Sequence, residues 1–250
     1  MSEHTHTVKA FDTELKDLSR EIVEMGGLVE QQIADAIDSL VEQDMDQAQR
    51  VIAADPQIDR LQREIEEKAV LTIARRQPMA IDLRETIAAQ RIANELERMG
   101  DYAKNIAKRV LATGSEIQPL PVVRGLQHMG ELVLAALKQV LDAYSQRDVA
   151  KALEVWRGDE EIDAVYDSLF RELLTYMLED PRNITFCTHL LFCAKNIERI
   201  GDHATNIAET VYFLVHGTQL NQARPKGDRT NTTIVRPPDE AATTNKAEAP

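Results

Sequence analysis

Aromatic residues make up only 4% of this 250-residue chain, with a single tryptophan, and glycine (10) and proline (9) are sparse for the length. That scarcity speaks against a turn-rich fold, and beside abundant Ala, Leu, Glu, Gln and Arg it is the composition of a helical protein. The two cysteines, Cys187 and Cys193, are separated by five residues inside a predicted helix. This spacing suits neither a disulfide framework nor a zinc ribbon, so both are read as reduced core residues. No apolar run approaches the roughly 20 residues needed to cross a bilayer, and the N-terminal stretch MSEHTHTVKAFD lacks the basic and apolar regions of a signal peptide. The expectation is a cytoplasmic chain with no membrane insertion. Positive charge is also scarce: 29 Lys and Arg stand against 42 Asp and Glu, a formal net charge of -13. Without clustered basic residues nucleic acid is excluded as a partner, and the acidic surface favours cations or basic proteins. At 43% hydrophobic and 28% charged, the chain can still bury a sizeable core.

What is present is a segment that occurs twice. Asn94 to Val110 reads NELERMGDYAKNIAKRV and Lys195 to Val211 reads KNIERIGDHATNIAETV. At a constant offset of 101 they share Glu97/Glu198, Arg98/Arg199, Gly100/Gly201, Asp101/Asp202, Asn105/Asn206 and four apolar positions. A repeat of this kind signals two copies of one structural unit.

Helical periodicity supports the same plan. Leu15, Leu18, Ile22, Met25, Leu28, Ile33, Ile37 and Leu40 trace an apolar stripe on a first helix of about nine turns. A second arm starts near Met45 and is expected to break at Asp55-Pro56, with Asp as N-cap and Pro at the first helical position, before ending near Arg76. Gln77-Pro78 closes it, and a third helix runs from about Asp82 to Ala112, stopped by Gly114. After the linker GSEIQPLPVV the pattern returns. Leu126, Met129, Leu132, Leu137, Val140, Leu141 and Tyr144 mark a fourth helix; Ala150 to Arg157 give a short piece, and Gly158-Asp159 restarts an arm that Asp180-Pro181 ends. The last helix spans about Thr185 to Val215. The expected fold class is all-α: two tandem three-helix up-down-up bundles, six long helices in all, over 1–115 and 116–216. Residues 217–250, rich in Thr, Asn, Pro and Ala, are expected to form a disordered polar tail.

Residues four apart on a helix lie side by side, so Glu97 and Asp101 form one acidic row and Glu198 and Asp202 another. Adjacent carboxylates repel, and only Arg98 or Arg199 is read as close enough to relieve each row. A metal cation is the natural neutralising agent, since carboxylates suit magnesium, manganese or iron. The preceding arms carry further pairs at the same spacing, Asp55 with Asp59 and Asp159 with Asp163. If the chain turns back at Pro78, Asp59 and Glu97 both lie nineteen residues from the turn, and Asp55 and Asp101 both lie twenty-three. Around Pro181 the separations are 18 and 17, then 22 and 21. Against convergence stands the helical wheel: the stripe Ile92, Leu96, Met99, Ala103, Ile106 and Val110 points roughly opposite to Asp101, so the motif is expected to face outward. That orientation excludes a ferritin-like centre, and neither copy of the repeat contains the Glu-x-x-His such a centre uses.

Each feature also has a plain structural reading. An acidic row is commonly a solvated face, but repetition in register with Gly, Arg and Asn favours a role. Gly100 and Gly201 each cost about 1 kcal/mol relative to Ala in a helix interior, so something is expected to approach the backbone there. Asp55 and Asp159 fit helix caps as well as ligands, with the two roles evenly balanced. His203, opposite Tyr102 in the alignment, is read as a surface or partner residue and not a ligand. Arg75-Arg76-Gln77-Pro78 with Asp82-Leu83-Arg84, and Asp180-Pro181-Arg182, sit at matching bundle tips as caps or as a basic docking patch.

At ELERMGD and NIERIGD, together with RRQPMAIDLR, MGGLVEQQIADAI and LLTYMLEDPR, the chain resembles the PhoU family of accessory proteins to the phosphate-specific ABC transport system, over about residues 8 to 216. The resemblance implies a cytoplasmic, usually dimeric, non-enzymatic regulator that restrains phosphate uptake and represses the phosphate-starvation response. Its implied partners are the transporter ATPase subunit and a membrane sensor histidine kinase. The family's Glu/Asp-x-x-x-Asp motif is associated with multinuclear metal, which carries over to Glu97, Asp101, Glu198 and Asp202 and, by the same pattern, to Asp55, Asp59, Asp159 and Asp163. Iron, manganese, zinc or magnesium are the candidate ions. The rival reading is a carboxylate-bridged dinuclear metallohydrolase acting on phosphoesters or polyphosphate. A plain helical scaffold whose acids bind nothing is the third.

Overall fold

The computed structural model describes residues 2–114, 120–222, 224 and 230, with side chains from residue 13 in the first helix and from 121 in the fourth. Six long helices account for nearly all of it: α1 (Ser2–Glu42), α2 (Met45–Arg76), α3 (Ala80–Thr113), α4 (Leu120–Gln146), α5 (Val149–Glu179) and α6 (Ile184–His216), with a 3-10 turn at Pro181–Asn183 before α6. No strand occurs among the described residues. Residues 115–119 of the expected linker, and 223, 225–229 and 231–250 of the expected tail, lie outside the described residues.

The connections explain why the helices turn where they do. α1 passes to α2 through Gln43 at φ 55 and Asp44, whose carboxylate accepts from Gln47 N at 2.9 Å. α4 passes to α5 by the same device, Arg147 at φ 54 and Asp148 accepting from Lys151 N at 3.1 Å. These aspartates, not Asp55 and Asp159, cap the second arm of each half. The expected breaks at Asp55-Pro56 and Gly158-Asp159 do not occur, and α2 and α5 run through them. Pro56 lies on the exposed face of α2, where the carbonyl of Ile52 that loses its N–H partner can turn to water. Gln77, left-handed at φ 50, ends α2 before Pro78 as expected. α4 begins six residues ahead of its first expected apolar position, taking LPVV from the linker, because Pro121 is tolerated in a first turn.

One continuous core runs through both halves. The α1 stripe is buried as expected, except that Val29 takes the core position while Leu28 is only partly covered. α1 packs on α4 and α3 on α6, so the halves are joined along two helix pairs. The α1–α4 pair is close: a Cβ on Gly26 would stand 2.5 Å from Leu141, and one on Gly130 2.8 Å from Ile37. Gly26 and Gly130 are 104 residues apart, as are Ile37 and Leu141, so the two contacts are copies of each other about a pseudo-twofold axis. Cys187 and Cys193 are free and buried, and burial pushes the Cys193 thiol up to about 12.

Candidate metal centre

α3 packs against α1, α2 and α6, and α6 against α5, α4 and α3. A helix with three neighbours buries more than one face, which is why the expectation that the acidic rows face outward fails. The row on α3 turns to α2 and the row on α6 turns to α5. Gly100 and Gly201 permit this approach. A Cβ on Gly100 would lie 3.2 Å from both Ile58 Cδ1 and Gln32 Oε1, and one on Gly201 would lie 2.9 Å from Ile162 Cδ1 and 3.4 Å from Asp159 Oδ1. The close approach expected from the two glycines is therefore a neighbouring helix of the same half.

In the first half, Asp55 from α2 and Asp101 from α3 meet across Lys104, whose Nζ donates to Asp55 Oδ2 at 2.7 Å and to Asp101 Oδ1 at 2.5 Å. Asp55 is only 5% exposed. Burial alone would lower the Lys104 ammonium pKa, but its bonds to Asp101 and Asp55 raise it instead. One turn along, Glu97 is held above the ordinary carboxylate range by burial first and then by the charge of Asp101, with Asp59 adding to it and Arg98 opposing. The matched heights of Asp55 with Asp101 and of Asp59 with Glu97 are thus what the fold produces.

The second half repeats this with different cations. Asp159, 3% exposed, and Asp202 meet across Arg224, which donates from Nε at 3.1 Å and Nη2 at 2.5 Å to Asp159 Oδ2, and from Nη2 at 2.5 Å to Asp202 Oδ1. Burial lifts the Asp159 pKa to about 6 against the pull of the Arg224 charge. Glu198, 5% exposed, accepts from Lys195 Nζ at 2.9 Å through Oε1, while its buried Oε2 has no hydrogen-bond partner. Burial lifts Glu198 to about 7, the Lys195 bond opposing and the charges of Asp202 and Asp163 adding. Asp163 is itself 3% exposed.

Each group therefore sets four acids along the seam between two antiparallel helices: Asp55, Asp59, Glu97 and Asp101, and Asp159, Asp163, Glu198 and Asp202. With Lys104 and Arg224 between them, no three His, Cys, Asp or Glu side chains converge as a ligand set among the described residues. The donor chemistry still fits a hard cation: carboxylate oxygens with raised proton affinity, one buried oxygen without a partner, and a positive nitrogen at the centre of each group. Sequence reasoning missed those nitrogens. Lys104 was legible as the i+3 neighbour of Asp101 and Lys195 as the i-3 neighbour of Glu198; for Arg224 no local signal exists.

His203 is not a surface residue. It lies between α6 and α3, its Nδ1 bonded to Glu95 at 2.5 Å and its ring 5.4 Å from that of Tyr102. Asn206 donates to the same Glu95 oxygen at 2.9 Å. At the tips, Arg76 is paired with Glu14 at 2.7 Å, and Asp180 accepts from Arg182 N at 3.0 Å, so these two serve the fold.

Residues 22–110 and 126–211 each match the PhoU domain. The chain belongs to the PhoU family. The phosphate-specific transport system accessory protein PhoU homolog of Rhizobium meliloti (strain 1021) is 59% identical over 229 residues, covering 92% of this chain and 97% of that protein. The crystal structure of PhoU from Pseudomonas aeruginosa superposes with a TM-score of 0.80 at 40% identity, covering 83% of this chain and 100% of that one. The phosphate transport system regulatory protein PhoU from Streptococcus pneumoniae gives 0.79 at 30% identity, covering 85% and 100%. Both copies of the PhoU domain match contain one acidic row.

Proposed function

We propose that this chain is a non-catalytic regulator of phosphate transport: a cytoplasmic, homodimeric adaptor that links the ATPase subunit of a phosphate ABC transporter to a sensor histidine kinase and binds metal through its two acidic groups. Membership of a family whose members are named accessory and regulatory proteins of phosphate transport supports the regulatory part. Among the described residues no helix is long and apolar enough to cross a membrane, which suits an adaptor that reaches the membrane through partners. The observation that carries the metal part is the pairing of two carboxylates from facing helices around one positive charge in each half, with Glu198 Oε2 left buried and unbonded in the second. A bound ion would neutralise these acids and bridge the two helices of each half. Asp55, Asp101, Asp159 and Asp202 would hold it, with Asp59, Glu97, Asp163 and Glu198 alongside.

Deletion of the gene tests the regulatory reading. Alkaline phosphatase should become constitutive in phosphate-replete cells, and unchanged repression would refute the role. Capture of the transporter ATPase and the kinase by the tagged protein tests the partners. Metal content of the purified protein should fall on Glu198→Ala; equal content in both would leave a plain scaffold. Manganese-dependent phosphoester or polyphosphate cleavage that Asp101→Ala abolishes would replace the adaptor with a hydrolase.

A further inference from the structure

The two acidic groups are copies in their carboxylates but not in their cations. Lys104 belongs to the middle of α3, so its ammonium stays within a side chain's reach of its group while the helix stands. Its counterpart at the offset of 101 is Thr205, which carries no charge and turns its hydroxyl to the carbonyl of Asp202 at 2.7 Å. The missing charge arrives from beyond the helices. Arg224 lies eight residues past His216, the last residue of α6, and its side chain is only 15% exposed between Asp159 and Asp202. Asp202 stands fourteen residues before that helix end, roughly 21 Å back along the axis. Eight residues span at most roughly 26–29 Å, and the arginine side chain adds its own reach, so Arg224 comes to Asp202 with the chain doubled back along α6. Leu220 packs on the core part-way along it. A stretch outside the helices, held by the Leu220 contact and by the ion pairs of Arg224 with Asp159 and Asp202, opens far more easily than a packed helix.

We propose that Arg224 is a displaceable internal counter-ion for the second acidic group, so that the C-terminal segment and a divalent metal ion compete for Asp159 and Asp202. The inference rests on the reading of the groups as metal sites. It makes the halves unequal: the first group has its cation tethered beside it on α3 whether or not metal is bound, and the second exchanges Arg224 for metal. Binding at the second group releases the segment, and anything that holds the segment away prepares the group for metal.

The test uses the full chain with manganese(II) as probe, the free ion counted by electron paramagnetic resonance, in the wild type and in Arg224→Ala, Arg224→Lys and Asp202→Asn. Hydrogen exchange of the amides of residues 217–222 is followed in parallel. Arg224→Ala should tighten the manganese site that depends on Asp202 by about tenfold or more, and Arg224→Lys should stay near wild type. Saturating manganese should speed exchange in the wild-type segment to the rate that Arg224→Ala shows without metal. Equal manganese affinity in wild type and Arg224→Ala, at a site that Asp202→Asn removes, would overturn the competition and leave the metal reading intact. Absence of any Asp202-dependent manganese binding in every variant would remove the metal reading and this inference with it.

Discussion

Replacing Glu198 by Gln should make the metal-free protein more stable, and by an amount that grows with pH. Glu198 is buried on the α5-facing side of α6, with one oxygen bonded to Lys195 and the other to nothing. Its carboxyl titrates near 4.5 in the ordinary case and about 7 in the fold, burial being the chief cause. Between those values the folded protein holds a proton that the unfolded chain has released. Stability therefore falls as pH rises through that window and levels off above it, by about 3 kcal/mol in the limit. Gln keeps the shape and cannot ionise, so it escapes the loss, although Lys195 then faces a neutral partner. The net gain expected at about pH 8 is about 1–3 kcal/mol, or about 3–9 °C in Tm for a chain of this size. At about pH 5 the variant and the wild type should nearly coincide. Urea unfolding followed by circular dichroism in a chelating buffer at both pH values measures it. A difference independent of pH, or a wild type more stable than the variant at pH 8, would refute the claim that this carboxylate is ionised at a cost.

Lys104→Ala leaves the buried Asp55 without its counter-charge and should cost about 2–3 kcal/mol in chelator, part of it recovered on adding manganese, as read from urea midpoints. Glu95→Ala removes the acceptor shared by His203 and Asn206 between α3 and α6 and should cost about 2 kcal/mol near neutral pH. Burial pushes the Glu95 carboxyl up, but the His203 and Asn206 bonds outweigh it and hold it below 4.5, so this contribution is present above that value and fades as the solution is acidified beneath it. Unfolding curves from about pH 3 to 7 should show the gap closing in acid, the reverse of Glu198. Gly158→Ala meets nothing within 4 Å and should gain about 1 kcal/mol from helix propensity, whereas Gly201→Ala, facing Ile162 at 2.9 Å, should gain none; thermal melts of the two variants separate them.

The helices and the duplication were legible because they follow from local pattern: apolar spacing for α1, the Gln77-Pro78 stop for α2, and a repeated segment for α3 and α6. The caps were misassigned because any Asp before a Pro or after a Gly resembles an N-cap, while Asp44 and Asp148 sit in loops whose left-handed Gln43 and Arg147 have no sequence signature. Counting residues from Pro78 placed Asp55 opposite Asp101 correctly, since length along an antiparallel hairpin is fixed by the rise of the helix. The wheel failed for the same residues, because the largest apolar stripe on α3 marks only one of its three contacts. The contact of His203 with Glu95 was not legible for a related reason: it depends on how the halves dock, which no repeat within either half encodes. Arg224 lies further from sequence logic still, in a segment whose composition gives no hint of a charged anchor.

The pseudo-twofold packing of α1 on α4 carries a historical implication. Gly26 opposite Leu141 and Ile37 opposite Gly130 are one contact written twice, so a single three-helix unit already possesses a face complementary to its own duplicate. A gene for one such unit would have yielded a symmetric pair whose assembly depended on protein concentration. Joining two units end to end turned that encounter into an intramolecular one at millimolar effective concentration. Once neither unit could be lost, each was free to change without its twin, and Lys104 opposite Thr205 is the kind of divergence that fusion permits.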